Sequence, residues 1–188
     1  MARTEIKIGG FGGQGVILSG YILGRAATIY DKKHATMIQA FGPEARGSAC
    51  SVQLIVSDDP IAYPYITLPT ILVVMSQEAY SKFSPELAPG GLLITEKELV
   101  STHGLRKDIR HIAIPATRIA EELGKRMVLN IVMMGFLTAV AGIAGVDAMR
   151  NAVRVSVPKG TEELNLKAFE RGYERGLTVR AGGTTAPA

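Results

Sequence analysis

Seven residues, Gly42-Pro43-Glu44-Ala45-Arg46-Gly47-Ser48, lie between two apolar runs, about residues 34–40 and 49–57. Both runs have the length and the apolar, β-branched content of a strand. A parallel crossover takes a dozen or more residues, so the link is too short for one. If the two strands are neighbours they run antiparallel, with the link at the hairpin tip. A sheet that contains this hairpin is mixed, unlike the all-parallel sheet of a dinucleotide-binding domain.

Upstream, a short run at residues 4–8 reads as a first strand, and five glycines follow at 9, 10, 12, 13 and 15. Val16, Ile17, Leu18, Ile22, Leu23, Ala26 and Ala27 then recur at helical spacing, which predicts a helix over residues 14–30. A glycine turn between strand and helix lets a ligand or another backbone approach closely. It also places unpaired N–H groups at the positive end of the helix. Gly10-x-Gly12-x-x-Gly15 has the spacing of the dinucleotide fingerprint. That fingerprint needs an acidic residue about 20 positions on, at the end of the second strand. Asp31 comes before that strand and Glu44 well after the required spacing. No Gly-Lys-Ser/Thr closes the segment, so it is not a Walker loop.

These two stretches supply the candidate binding or interface residues: Gly10, Gly12, Gly13, Gln14 and Gly15, with Gly42, Pro43, Glu44, Arg46 and Gly47. Gln14 carries a donor and an acceptor at the helix entrance. Arg46 can clamp a phosphate or carboxylate in two-pronged fashion. Glu44 can pair with Arg46 or with another chain. If the first two strands are parallel neighbours, both loops emerge on one edge of the sheet, where ligands of α/β folds gather.

Further along, Asp58, Asp59 and the prolines at 60, 64 and 69 mark an irregular link, and its Ile61, Tyr63, Tyr65, Ile66 and Leu68 suit either a loop over the core or an exposed apolar surface. Strands are expected at 70–75, 92–95 and 109–114, with Ser76 capping a helix to residue 83. Pro115 suits the first position of a helix ending before Gly124. The remainder is helical: residues 128–143, 146–155 and 161–176. The expected fold is a three-layer α/β/α single domain over residues 1–178, with a mixed, mostly parallel sheet and a helical C-terminal half. Residues 179–188 read as a disordered tail.

Composition removes several function classes. The net charge is +4 and the basic residues are scattered, without the dense patch or aromatic series of a nucleic-acid binder. The single cysteine, Cys50, builds neither a disulfide nor a cysteine-ligated cluster within the chain. Three isolated histidines lack metal-ligand spacing. No nucleophile motif surrounds Ser19, Ser48 or Ser51. Hence no catalytic and no metal residue is expected. The apolar stretch at 128–146 contains Asn130, Thr138 and three glycines, and reads as a core helix, not a membrane span. The start of the chain has no signal-peptide pattern, so a cytoplasmic location is expected.

Gly-Phe-Gly-Gly-Gln-Gly-Val at residues 10–16 and Gly-Pro-Glu-x-Arg-Gly-Ser at 42–48 together resemble the gamma subunit of the 2-oxoacid:ferredoxin oxidoreductases. The likeness continues through Ile114-Pro115-Ala116 and through residues 130–135, and covers roughly residues 6–176. It implies a heteromeric enzyme that oxidatively decarboxylates a 2-oxoacid to acyl-CoA and CO2. It implies thiamine diphosphate, Mg, iron–sulfur clusters and CoA in the complex, with no cofactor held by this chain. The implied partners are alpha, beta and delta (ferredoxin-like) subunits, and ferredoxin through the complex. The short, unfused chain resembles most the 2-oxoglutarate enzymes; pyruvate, branched-chain (ketoisovalerate) and indolepyruvate enzymes stay open. The competing expectation is a stand-alone nucleotide-binding regulatory module built on the Gly10–Gly15 turn.

Overall fold

The computed structural model describes residues 3–41 and 49–182. Its elements are β1 (Thr4–Phe11), α1 (Val16–Arg25) continued by a π-helical turn (Ala26–Tyr30), β2 (His34–Phe41), β3 (Ala49–Ser57), β4 (Ile71–Val74), α2 (Gln77–Phe83), β5 (Leu92–Glu96), β6 (Arg110–Ile114), α3 (Ala116–Glu122), α4 (Leu129–Ala141), α5 (Val146–Ser156) and α6 (Glu162–Gly182). The strands form one sheet in the order β2-β3-β1-β4-β5-β6. β3 runs antiparallel to both its neighbours, and β1, β4, β5 and β6 are mutually parallel. The short link therefore does join a hairpin, paired from His34 with Ser57 to Phe41 with Cys50. β1 and β2 point the same way, but the condition that they be neighbours is not met, because β3 lies between them.

Alternation along the strands creates two unequal layers. Ile6, Ile8, Val52, Leu54, Val73, Ile94 and Ile112 face a large core shared with α1, α3, α4, α5 and α6. The opposite face is covered more thinly: Leu72, Val74 and Leu93 pack with Ala79 and Phe83 of α2 and with Val100. Gly9 sits under this thin layer, where an added Cβ would lie 2.8 Å from the Phe83 ring. Beside it Lys7, nearly buried, donates to the Glu86 carboxylate at 2.5 Å and lies 4.1 Å from the centre of the Phe83 ring.

The apolar stretch at 128–146 is a core helix. From Leu129 to Ala139 every residue of α4 is buried, and no helix among the described residues is long and apolar enough to cross a membrane. Its contact with α6 is backbone on backbone. A Cβ on Gly135 would lie 2.0 Å from the Phe169 carbonyl oxygen, and one on Gly172 would lie 2.0 Å from that of Val132. These two glycines, one on each helix, set how closely the axes approach.

Several boundaries differ from expectation for physical reasons. Gly9 and Gly10 continue β1, hydrogen-bonded in register with Ser51 and Cys50. The first helix ends as a π turn, closed by the Asp31 N–H on the Ala26 carbonyl at 3.0 Å. Pro115 stands one place before the first helical residue of α3. α6 runs to Gly182, past the expected end at 176, because Val179 packs against the core and Arg180 reaches the Ala139 carbonyl. The first four residues of the expected tail, 179–182, are thus helical; 183–188 lie outside the described residues.

Replacing Gly172 by Ala is expected to push α6 off α4. Overpacking of this kind costs about 1–3 kcal/mol, and the backbone contact places this site at the upper end. Urea denaturation of the purified chain measures it. A change within error of zero would mean that α6 shifts freely.

Candidate functional site

β1 ends at Phe11 and β2 at Phe41, while β3 begins at Ala49; Phe11 pairs with Ala49, and Phe41 with Cys50. The glycine turn and the hairpin link therefore leave the sheet at one edge, as expected, although β3 lies between them. β4, β5 and β6 end at the same edge. Gly42, Pro43, Glu44, Arg46 and Gly47 lie outside the described residues.

The glycine turn is built by local rules. The Gln14 N–H donates to the Phe11 carbonyl at 3.1 Å. Gly13, third in that four-residue turn, has φ of 99°, which a type II turn requires and a side chain resists. The Gln14 side chain spans the ends of β1 and β4: Oε1 accepts from the Phe11 N–H at 2.7 Å, and Nε2 donates to the Met75 carbonyl at 2.8 Å. A Cβ on Gly10 would lie 2.6 Å from that Oε1. The donor and acceptor expected at the helix entrance are thus both engaged inside the chain, so Gln14 positions the turn.

Gly15 carries φ of 73° at the start of α1. Its carbonyl accepts from Asn130 Nδ2 at 3.3 Å, the Ser19 N–H at 2.9 Å and Ser19 Oγ at 3.0 Å. A Cβ at this position would lie 2.4 Å from Asn130 Nδ2. Asn130 is 3% exposed in a helix whose other polar side chain is Thr138; an amide in that apolar stretch is the signal that could have pointed to this role. No side chain caps α1. Of the five glycines, Gly9, Gly10 and Gly15 serve close packing. Gly12 and Gly13 form the crest, and the space where a Gly13 Cβ would stand is open.

Sequence reasoning missed Glu96. This fully buried carboxylate accepts from the N–H groups of Glu98 at 2.7 Å, Leu99 at 2.6 Å and Thr117 at 3.0 Å. It joins the end of β5 to the first turn of α3 and has no oxygen left for chemistry. Beside it is a cavity of about 610 Å³ lined by Gln77, Thr95, Lys97, His103 and His111 among others. Gln77 clamps the loop over it, donating to the Ser101 carbonyl at 3.2 Å and accepting from the Ser101 N–H at 2.7 Å. His111 Nε2 lies 2.9 Å from the Thr95 hydroxyl. Cys50 is buried in the main core, and burial pushes its thiol above the usual range; it behaves as a small hydrophobe. Among the described residues no group of three His, Cys, Asp or Glu side chains could hold a metal ion.

The model of the pyruvate ferredoxin/flavodoxin oxidoreductase family matches residues 5–175. The chain belongs to this family. It is 49% identical to the 2-oxoglutarate synthase subunit KorC of Methanocaldococcus jannaschii over 92% of this chain and 93% of that one. It is 32% identical to the ketoisovalerate oxidoreductase subunit VorA of Methanothermobacter thermautotrophicus, spanning 92% of this chain but 36% of VorA. The crystal structure of a keto/oxoacid ferredoxin oxidoreductase gamma subunit from Geobacter sulfurreducens superposes with a TM-score of 0.85 and 37% identity, covering 95% of this chain and 98% of that one. A 2-oxoglutarate:ferredoxin oxidoreductase from Magnetococcus marinus shares the fold, at a TM-score of 0.83 and 18% identity, over 99% of this chain and 32% of its own length.

Two outcomes follow from this geometry. Gln14→Ala removes the acceptor for Phe11 and the donor for Met75, and a buried group left unpaired costs about 1–3 kcal/mol. Chemical denaturation is expected to show a loss in that range; an unchanged midpoint would mean water replaces the amide. Burial also lowers the His111 pKa in the folded chain. The unfolded chain then binds more protons than the folded one as pH falls, so stability drops. The His111 contribution is complete above the unfolded value of about 6.5 and is lost as pH falls from there through the folded value. In His111→Gln the pH dependence of the melting temperature in that window is expected to flatten.

Proposed function

We propose that this chain is the gamma subunit of a heteromeric 2-oxoacid:ferredoxin oxidoreductase, and that the oxoacid is 2-oxoglutarate. The complex oxidatively decarboxylates the oxoacid, transfers the acyl group to CoA and passes the electrons to ferredoxin. The observation that carries the reading is the 49% identity to a 2-oxoglutarate synthase subunit across nearly the whole of both chains. The site agrees with a supporting role. Its polar groups are spent on holding the glycine crest in shape, and one cysteine with a raised pKa suits neither cluster ligation nor nucleophilic attack. Thiamine diphosphate, Mg and the clusters then belong to the alpha, beta and delta subunits, and the complex works in the cytoplasm.

In this reading the Gly12-Gly13 crest and the link residues Gly42, Pro43, Glu44, Arg46 and Gly47 serve the partner subunits and the approach of CoA. A second candidate contact is at the opposite edge of the sheet. Tyr63, Tyr65 and Leu68 are at least half exposed there, with the tyrosine rings 5.3 Å apart. A stand-alone nucleotide-binding module is not supported. The place beside β1, where a parallel second strand would bring the ribose-binding carboxylate, is held by the reversed β3.

The deciding experiment is copurification of the native complex, with dye-reduction assays on 2-oxoglutarate, pyruvate and 2-oxoisovalerate. The isolated chain is expected to be inactive; oxoacid-dependent reduction by it alone would overturn the reading. In the reconstituted complex, Arg46→Ala is expected to weaken assembly or CoA use by about 1.5–3 kcal/mol, the value of one charge-assisted hydrogen bond. In this reading Arg46 acts on a partner, so the melting temperature of the isolated chain should change little. Unchanged assembly and CoA kinetics would remove Arg46 from the proposal.

A further inference from the structure

The two edges of the sheet are protected very differently. β6 is a five-residue strand that starts at the exposed Arg110 and is followed at once by Pro115. β2 is eight residues long, with the sequence His-Ala-Thr-Met-Ile-Gln-Ala-Phe. It carries no lysine, arginine, carboxylate, proline or glycine, and its register with β3 is unbroken from His34 to Phe41. Charge, proline and bulges are what keep an open edge from pairing with another strand. β2 has none of them.

Two further features accompany this edge. Between α1, the π turn and β2 lies an apolar groove of about 530 Å³, lined by Tyr21, Thr28, Ile29, Ala35, Met37 and Leu54 among others. At the far end of β2, Phe41 is 69% exposed. Phe41 and Ala35 are both odd-numbered along the strand, so they face the same side of the sheet, the side of α1 and the groove.

We propose that β2 pairs antiparallel with β2 of a second copy of this chain, so that the sheet continues across a twofold axis. Residues directly opposite in an antiparallel pair point to the same side. Two copies related by an axis through the sheet therefore meet with one residue facing itself. With Ile38 on the axis, Met37 faces Gln39, Thr36 faces Ala40, and Ala35 faces Phe41 of the other copy. The exposed aromatic ring of each copy then stands over the other's Ala35, at the mouth of the apolar groove. Large meets small, twice, by symmetry. No charged side chain lies in the paired stretch, so self-pairing meets no like-charge repulsion. Shifting the axis to Met37 instead sets Phe41 against Lys33, whose ammonium already donates to the Ile143 carbonyl at 2.9 Å. Moving the axis to Gln39 sets the ring against Met37 and pairs only residues 37–41, whereas the Ile38 register pairs residues 35–41 and seats the ring over a small apolar side chain.

This inference goes beyond the subunit assignment. Sedimentation velocity of the full chain, with Ile38→Cys, Ala40→Cys and Phe41→Ala variants, tests it. The chain is expected to sediment as a homodimer. Under mild oxidation Ile38→Cys should give a cross-linked homodimer, since opposed strand positions bring Cβ atoms within disulfide reach. Ala40→Cys, whose counterpart is Thr36, should not. Phe41→Ala should raise the dimer dissociation constant by about tenfold or more, as loss of an aromatic anchor does. Because Phe41 is exposed, that variant should keep the wild-type circular dichroism and melting curve. A monomeric wild-type chain would overturn the proposal, and so would a dimer that ignores Phe41→Ala or cross-links as readily through Ala40→Cys. A monomer that still joins the oxidoreductase complex removes this inference alone. A dimer that joins no such complex removes the subunit reading alone.

Discussion

The reversed strand β3 is the constraint on which the rest of the architecture depends. It lies between β1 and β2 and pairs with both along its length. Its insertion makes the sheet mixed and moves β2 to the outside. It also brings the end of β1, the end of β2 and its own start to one edge. A parallel second strand in its place would give a nucleotide crevice. A seven-residue link leaves the chain no such option.

At that edge the polar groups act inward. The Gln14 amide ties β1 to β4, the Gly15 carbonyl gathers donors from α1 and α4, and the Glu96 carboxylate joins β5 to α3. Each is nearly saturated by partners within the chain, which suits fixed geometry more than chemistry. Among the described residues the crest of the glycine turn has little side-chain bulk, which leaves room for close approach.

Much of the fold was legible because its signals are local. The bounds of β3 were read without error from an apolar run between polar breaks, and the Ser76 cap from one serine ahead of Gln77 and Glu78. The hairpin followed from a count of link residues. Strand order was not legible: whether β1 and β2 are neighbours stayed an open condition, and nothing local tells a strand which partner will come between. The extension of α6 was missed because Gly176 and the Gly/Thr/Pro-rich residues 181–188 read as the close of the helix, whereas the stabilising contacts, Val179 on the core and Arg180 on Ala139, are tertiary. In the site, the glycines and Gln14 were found by spacing, but the roles differ. A glutamine beside glycines looks available in one dimension, and only folding places Met75 under its amide. Glu96 carried no motif, because its partners are backbone N–H groups that any sequence supplies.

The two faces of the sheet are not equally held. Behind it, helices cross in backbone contact. In front there is the seven-residue α2 and a loop clasped by Gln77 on Ser101, with Lys7 and Glu86 bridging below. Native-state opening follows the element with the fewest buried contacts. This front layer is thus the unit that would detach first while the helical back stays closed, and amide hydrogen exchange would reveal it as a separate, low-energy fluctuation. The molecule has a stiff back and a yielding front, and the yielding side adjoins the strand ends where partners and ligands of such sheets meet.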